Sequence, residues 1–247
     1  QRIFMRILIA LLLTSTAFAH QTIPVVDEDF QERVRSIYNL THKKLITPTQ
    51  ISRREVLQRA YSALNYEFNF ERNNAQSTTQ NNKCERQDTW LKPYRLYNKI
   101  GKSVKSIPYK WGGYFIDLET FSTGIQDNKL AGDVCTCRDS SRNWCINTET
   151  IGLDCSGFVS FAWKTPYYIT STLHEISDPI SWSEMKPGDV MNLAGSHVIM
   201  FVRYSRDRNY IWGIESSVTC EGVCQRSFRV YDLKRDGYRP LRYKNIL

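Results

Sequence analysis

An α+β fold is what this chain of 247 residues predicts, on three observations. Apolar residues recur at helical spacing in the first part of the chain. After Pro187 they fall into short β-branched and aromatic runs, as in an antiparallel sheet. Between the two lies GLDCSGFVSFAW, residues 152–163, where Phe158, Val159, Phe161, Ala162 and Trp163 mark a short buried helix that begins near Asp154 and stops before Pro166. The expected architecture is a helix carrying Cys155 in its first turn, packed on a central antiparallel β-sheet.

The elements follow in order. QRIFMRILIALLLTSTAFAH carries Arg2 and Arg6, an apolar run from Ile7 to Leu13, and Ala17, Phe18 and Ala19 in a small-x-small cleavage pattern. A signal peptide over 1–19 is expected, with Met5 as the start of translation. The run falls short of the about 20 apolar residues that span a bilayer, and no later segment approaches that length. The mature protein is therefore expected to be exported, secreted or periplasmic, without stable membrane insertion. An N-terminal helical extension is expected over 20–49, because Phe30, Val34, Ile37, Tyr38 and Leu45 recur at near-helical spacing with acids early and Lys43 and Lys44 late. It contains the sequon Asn39, Leu40, Thr41.

A second helix is expected from about Arg53, where Ser52 and Glu55 have capping-box spacing and Ile51 and Val56 that of a hydrophobic staple. Val56, Leu57, Ala60, Tyr61 and Leu64 form its apolar face. Residues 72–89 read as a polar surface loop, and Leu96 to Val104 as a further short helix. From Gly113 to Gly152 periodicity is weak and three cysteines occur, which suggests a disulfide-pinned insertion at 114–151. The segments GDVMNL, HVIMFVRYS and NYIWGIESS then read as strands.

Composition narrows the function. The formal charge is +8, and losing Arg2 and Arg6 with the leader still leaves a basic protein suited to anionic polymers. No run of Lys and Arg interleaved with aromatics appears, so no nucleic-acid partner is expected. Of the seven cysteines, six can pair in an oxidising compartment, which leaves one thiol. The favoured pairing joins Cys220 to Cys224, and Cys84 and Cys145 to Cys135 and Cys137. A zinc site of Cys84, Cys135, Cys137 and Cys145 is the rival, but it lacks paired CxxC knuckles. No metal or organic cofactor is expected.

Cys155 is the natural leftover thiol. At a helix start, unpaired N–H groups and the positive end of the helix dipole stabilise a thiolate, and the same N–H groups can receive an oxyanion. Of the four histidines, His197 alone begins an apolar strand. If the hairpin turn centres on Arg206, His197 and Glu215 stand nine residues to either side and face each other directly, with Cβ atoms about 5 Å apart. Cysteine, histidine and an orienting carboxylate are the parts of a thiol hydrolase.

These blocks, in this order, resemble the NlpC-type papain-like cell-wall peptidases and amidases, a secreted subgroup included. PYKWGG at 108–113 looks like the family's Tyr-bearing strand start and LDCSGFVSFAW at 153–163 its nucleophile helix. MKPGDV at 185–190 is similar to its approach to the sheet, GSHVIMFV at 195–202 to its histidine strand, and WGIESS at 212–217 to the strand with the third polar residue. ISRREVLQRAYSAL and YRPLRYKNI extend the likeness over roughly 50–245. The resemblance implies a papain-like cysteine peptidase fold over 50–247, with Cys155 as nucleophile, His197 as base and Glu215 as orienter. It further implies that Tyr109 lines the site, its hydroxyl assisting the oxyanion or holding substrate. Asp154 and Ser156 would bind a free amine of the substrate; their plainer role is to cap the helix. Glu215 stands where the family often has His, Asn or Gln, and the insertion is larger than usual. The implied activity is cleavage of amide bonds in peptidoglycan stem peptides by a monomeric enzyme. An acyl- or peptidyl-transferase on the same fold, or a non-catalytic cell-wall-binding protein, are the alternatives.

Overall fold

The computed structural model describes residues 48–75, 96, 98–134 and 146–247. The expected signal peptide, most of the N-terminal extension with its sequon, and Cys84, Cys135, Cys137 and Cys145 lie outside them. The first described helix, α1 (Arg53–Asn65), begins where Ser52 turns out of extended backbone and its Oγ accepts the Glu55 N–H at 3.2 Å. Val56, Ala60 and Ala63 are its buried side, and Ile51 is buried just ahead of it.

Two short strands, β1 (Glu67–Phe70) and β2 (Lys102–Lys105), pair antiparallel. This overturns the helix expected over 96–104. Gly101 sits at φ +77°, which interrupts a helix, and beyond it only Val104 turns inward while Lys102, Ser103 and Lys105 stay exposed. The insertion also holds more order than its sequence suggests. Within it α2 (Leu118–Gln126) is capped by Asp117, whose carboxylate accepts the Thr120 N–H at 2.8 Å. Leu118, Phe121 and Ile125 give this helix an apolar side that joins the core. Beyond it β3 (Leu130–Ala131) and β4 (Thr150–Ile151) pair in parallel.

The Cys155 helix is α3 (Cys155–Trp163), ended by Lys164 in the left-handed region at φ 56°. After it come β5 (Ser177–Pro179), β6 (Val190–Leu193), β7 (His197–Tyr204), β8 (Tyr210–Ser217), β9 (Gly222–Arg229), a short helix α4 (Val230–Arg235) and β10 (Arg239–Tyr243). These strands form one antiparallel sheet in the order β5–β10–β6–β7–β8–β9. The fold is therefore a mixed helix and sheet structure.

Both faces of the sheet are covered, and this positions the site. Val198, Met200, Ile214 and Val223 point to the face packed under α1 and α3, with Phe158, Phe161 and Trp163. Met191, Ile199, Phe201 and Ile211 point to the other face, covered by Leu233 of α4 and by Met185. Asp189, fully buried in the turn before β6, accepts the Lys186 N–H at 2.7 Å and pairs with Arg53 at 2.9 Å and Arg242 at 2.8 Å. One carboxylate thus ties α1 and β10 to the turn that feeds the central strands. Among the described residues, no helix is long and apolar enough to cross a membrane.

Candidate active site

The entry to α3 is built on a close backbone approach. Leu153 N–H donates to the Pro108 carbonyl at 3.0 Å, Lys110 N–H to the Leu153 carbonyl at 3.2 Å, and Asp154 N–H to the Gly113 carbonyl at 3.0 Å. A Cβ on Gly157 would stand 1.9 Å from the Gly113 carbonyl oxygen, so only glycine lets the first turn of α3 rest on this segment. In an ordinary helix Gly→Ala stabilises by roughly 1 kcal/mol. Here Gly157→Ala is expected to destabilise by roughly 3 kcal/mol, because the contact is backbone to backbone and neither side can rotate away. Urea unfolding followed by circular dichroism measures it, and a midpoint at or above wild type would contradict the packing.

Asp154 caps α3. Its Oδ1 accepts the Gly157 N–H at 2.5 Å and the Ser156 hydroxyl at 3.0 Å, and its Oδ2 accepts the Tyr167 hydroxyl. Burial raises its proton affinity, against the lowering effect of those donors. Asp154 and Ser156 are therefore engaged with each other and with the helix start, and both also line the groove that runs over the site. Tyr167 was not singled out by its sequence context; a tyrosine after Pro166 carries no signal that it reaches back to the cap.

Cys155 is half-buried at the first position of α3 and is the free cysteine among the described residues. His197, the first residue of β7, meets Glu215 of β8, its Nε2 lying 2.6 Å from Oε2. With Nε2 so engaged, Nδ1 is the ring nitrogen left for Cys155, whose side chain acts on the ring and raises its proton affinity. Burial opposes a charged ring. The hydrogen bonds and negative charges of Cys155 and Glu215 outweigh it and push His197 up to about 10.

The register that brings histidine and glutamate together differs from the symmetric one expected. Met200 faces Ile214 and Phe201 faces Gly213, and the pairing slips by one residue at Val202. Continued to the strand ends, this sets Ile199 opposite Glu215 and His197 opposite Ser217. The turn is also displaced, since Ser205 N–H bonds the Tyr210 carbonyl at 2.8 Å and Arg208 takes φ 59°. His197 and Glu215 are diagonal neighbours on one face, about 7 Å apart along the backbone. A glutamate is long enough to close that gap; an aspartate would fall short.

Glu215 is buried, and its second oxygen, Oε1, is held by Arg226 Nη1 of β9 at 3.1 Å. Cys224 stands directly opposite Glu215 and is joined to Cys220 in a disulfide, both sulfurs 3.9 Å from Oε1. Glu215, Cys220 and Cys224 are the metal-type donor cluster among the described residues, and the disulfide removes two of its three ligands.

A groove of about 800 Å³ runs over these groups. Tyr109, Trp111, Asp154, Ser156 and Tyr167 line one part of it, Cys155, His197 and Glu215 another, and Arg226, Arg229 and Tyr238 continue it. Tyr109 is buried, and its phenol is raised well above its ordinary value by burial and by the charges of Cys155, Asp154 and Asp133. Tyr238 is pushed up to about 12 by burial and by the charges of Glu215 and Cys155. Both rings thus remain hydroxyl donors beside an anionic centre.

No protein-family model matches the chain, and no curated protein does. Among solved structures it is similar to the peptidoglycan hydrolase RipB from Mycobacterium tuberculosis, at 17% identity and a TM-score of 0.39, over 79% of this chain and 65% of that one.

Proposed function

We propose that this protein is an exported cysteine hydrolase of papain-like type that cleaves amide bonds in peptidoglycan stem peptides through a thioester acyl-enzyme. The observation that carries the reading is the set Cys155, His197 and Glu215 on one groove, with a half-buried thiol at a helix start, an imidazole whose proton affinity that thiol raises, and a buried carboxylate on the ring's Nε2. The stem-peptide substrate rests on the ordered sequence blocks and on the basic character of the chain.

In this mechanism His197 takes the Cys155 proton, and the thiolate attacks the amide carbonyl carbon. Asp154 takes the N–H groups of Ser156 and Gly157, which leaves the Cys155 N–H to receive the developing oxyanion, with the Tyr109 hydroxyl lining the same cavity. The imidazolium then protonates the departing amine as the C–N bond breaks. Water, deprotonated by His197, attacks the thioester and releases the acid and the free thiol. Glu215 holds the ring in the tautomer and orientation that both steps require.

Digestion of defined muropeptides by the mature protein, followed by mass spectrometry, tests the reading. The expected products are a new carboxylic acid and a new amine from one amide. Intact muropeptides after prolonged incubation would refute it, and amine adducts in place of the acid when a competing amine is added would convert it to a transferase.

A further inference from the structure

We propose that Arg226 is a positioning residue of this site: it holds the outer oxygen of Glu215 and balances its charge, so that Cys155, His197, Glu215 and Arg226 work as one electrically neutral set. The inference rests on the cysteine-hydrolase reading above and extends it to a residue on a third strand.

An arginine on a surface carboxylate would mean little, since such pairs contribute about 0–1 kcal/mol. Glu215 is not such a carboxylate. Its side chain is 3% exposed, and its Oε1 faces two disulfide sulfurs, which bear no hydrogen to donate. Among the described residues the donor to Oε1 is the Arg226 guanidinium. Without it, that oxygen would lie against sulfur with no hydrogen-bond donor, and the buried centre would keep one net negative charge, a costly arrangement.

The backbone provides for this contact. Arg226 lies two residues beyond Cys224 on the same face of β9, and the residue opposite it is Gly213, which has no side chain to occupy the space. The Arg226 guanidinium also lies 5.4 Å from the centre of the Phe228 ring. An extended arginine can thus lean diagonally onto Glu215, the same reach by which Glu215 meets His197.

Charge then decides what Arg226 does. A thiolate and an imidazolium sum to zero, and the Glu215 carboxylate would leave the buried centre at one negative charge. Removing Arg226 therefore makes every proton at the centre harder to lose, and the Cys155 thiolate forms only at higher pH. Removing the Glu215 charge has the opposite sign. The other titratable and charged groups facing this centre are Tyr109 beside α3, Asp154 at its cap, and Tyr238, Asp236, Asp232 and Arg229 around α4. All remain in every variant below.

The test is the pH profile of Cys155 alkylation by iodoacetamide, read by mass spectrometry, in wild type, R226M, R226K, E215Q and the E215Q/R226M pair. R226M is expected to move the profile about one pH unit upward, as a charge at this range and exposure should. E215Q should move it downward, the double variant should return close to wild type, and R226K should retain the wild-type profile. A structural role alone does not produce opposite shifts that cancel. An unmoved R226M profile, or a double variant displaced as far as R226M alone, overturns the proposal. Iodoacetamide requires no amide substrate, so failure to cleave peptidoglycan leaves this result standing, whereas a wild-type Cys155 inert to iodoacetamide strikes at both.

Discussion

Cys155→Ala is expected to leave the protein folded and to lower amide cleavage on purified peptidoglycan by roughly 10⁴-fold or more, to the level without enzyme. The fold survives because alanine is a strong helix former and the cap of α3 does not depend on the sulfur. Asp154 supplies that cap through Gly157 and Ser156, and the close fit of Gly157 on Gly113 is untouched. Activity goes because no other described residue presents a free thiol, and the hydroxyls of Ser156 and Tyr167 are both donated to Asp154. Circular dichroism and product analysis on one sample separate the two effects. Wild-type cleavage by a folded Cys155→Ala protein would place the chemistry elsewhere.

The variant has a second consequence, on its partner. Part of what keeps the proton on His197 is the hydrogen bond and charge of Cys155, so in Cys155→Ala the ring should lose its proton at a lower pH than in wild type. Histidine ring NMR measures this directly. It also ties the loss of activity to the centre itself, because a variant that merely misfolded would return the ring to its ordinary value with no native signals beside it.

The order of helices and sheet, and the place of Cys155 at a helix start, are legible in the sequence because they rest on local rules: apolar spacing, Asp before a helix, proline after it. Ser52 and Asp154 are caps recognisable from side-chain chemistry alone. What the sequence conceals depends on tertiary pairing. Lys102–Lys105 is a strand because Glu67–Phe70 lies beside it, and only Gly101 hints that a helix cannot pass. The face shared by His197 and Glu215 follows from alternation, yet their diagonal offset depends on a slip at Val202 and a turn displaced toward Asp207, which no period-two pattern reveals. Arg226 and Tyr167 were invisible for a related reason. An arginine on an edge strand looks like solvated surface until the buried carboxylate it meets is in place.

Raising the pH from 7 to above 10 is expected to reduce the stability of the wild-type protein relative to His197→Gln, and to end catalysis over the same range. The sign follows from where the proton binds. His197 is pushed up to about 10 in the folded protein, against about 6.5 in an unfolded chain. Below about 6.5 both states carry the proton and its stabilising contribution is fully present. Between 6.5 and 10 only the folded state holds it, so stability falls as pH rises, and above about 10 the contribution is gone. The loss should amount to a few kcal/mol, of the order a shift of this size implies. Lys110 works in the opposite direction, since burial first and the charge of Lys129 next lower it to about 8, so the folded state gains stability as pH passes into the alkaline range. The His197→Gln variant keeps Lys110 and the tyrosines, and subtracting its urea-unfolding curve from that of wild type removes their share. Under the proposed mechanism catalysis is expected to follow the same proton, because the departing amine would take it from the imidazolium, which places the alkaline limb of the rate profile near 10. If wild type and His197→Gln lost stability in parallel across this range, the imidazolium would not be held by Cys155 and Glu215, and the ion-pair basis of the mechanism would fall with it.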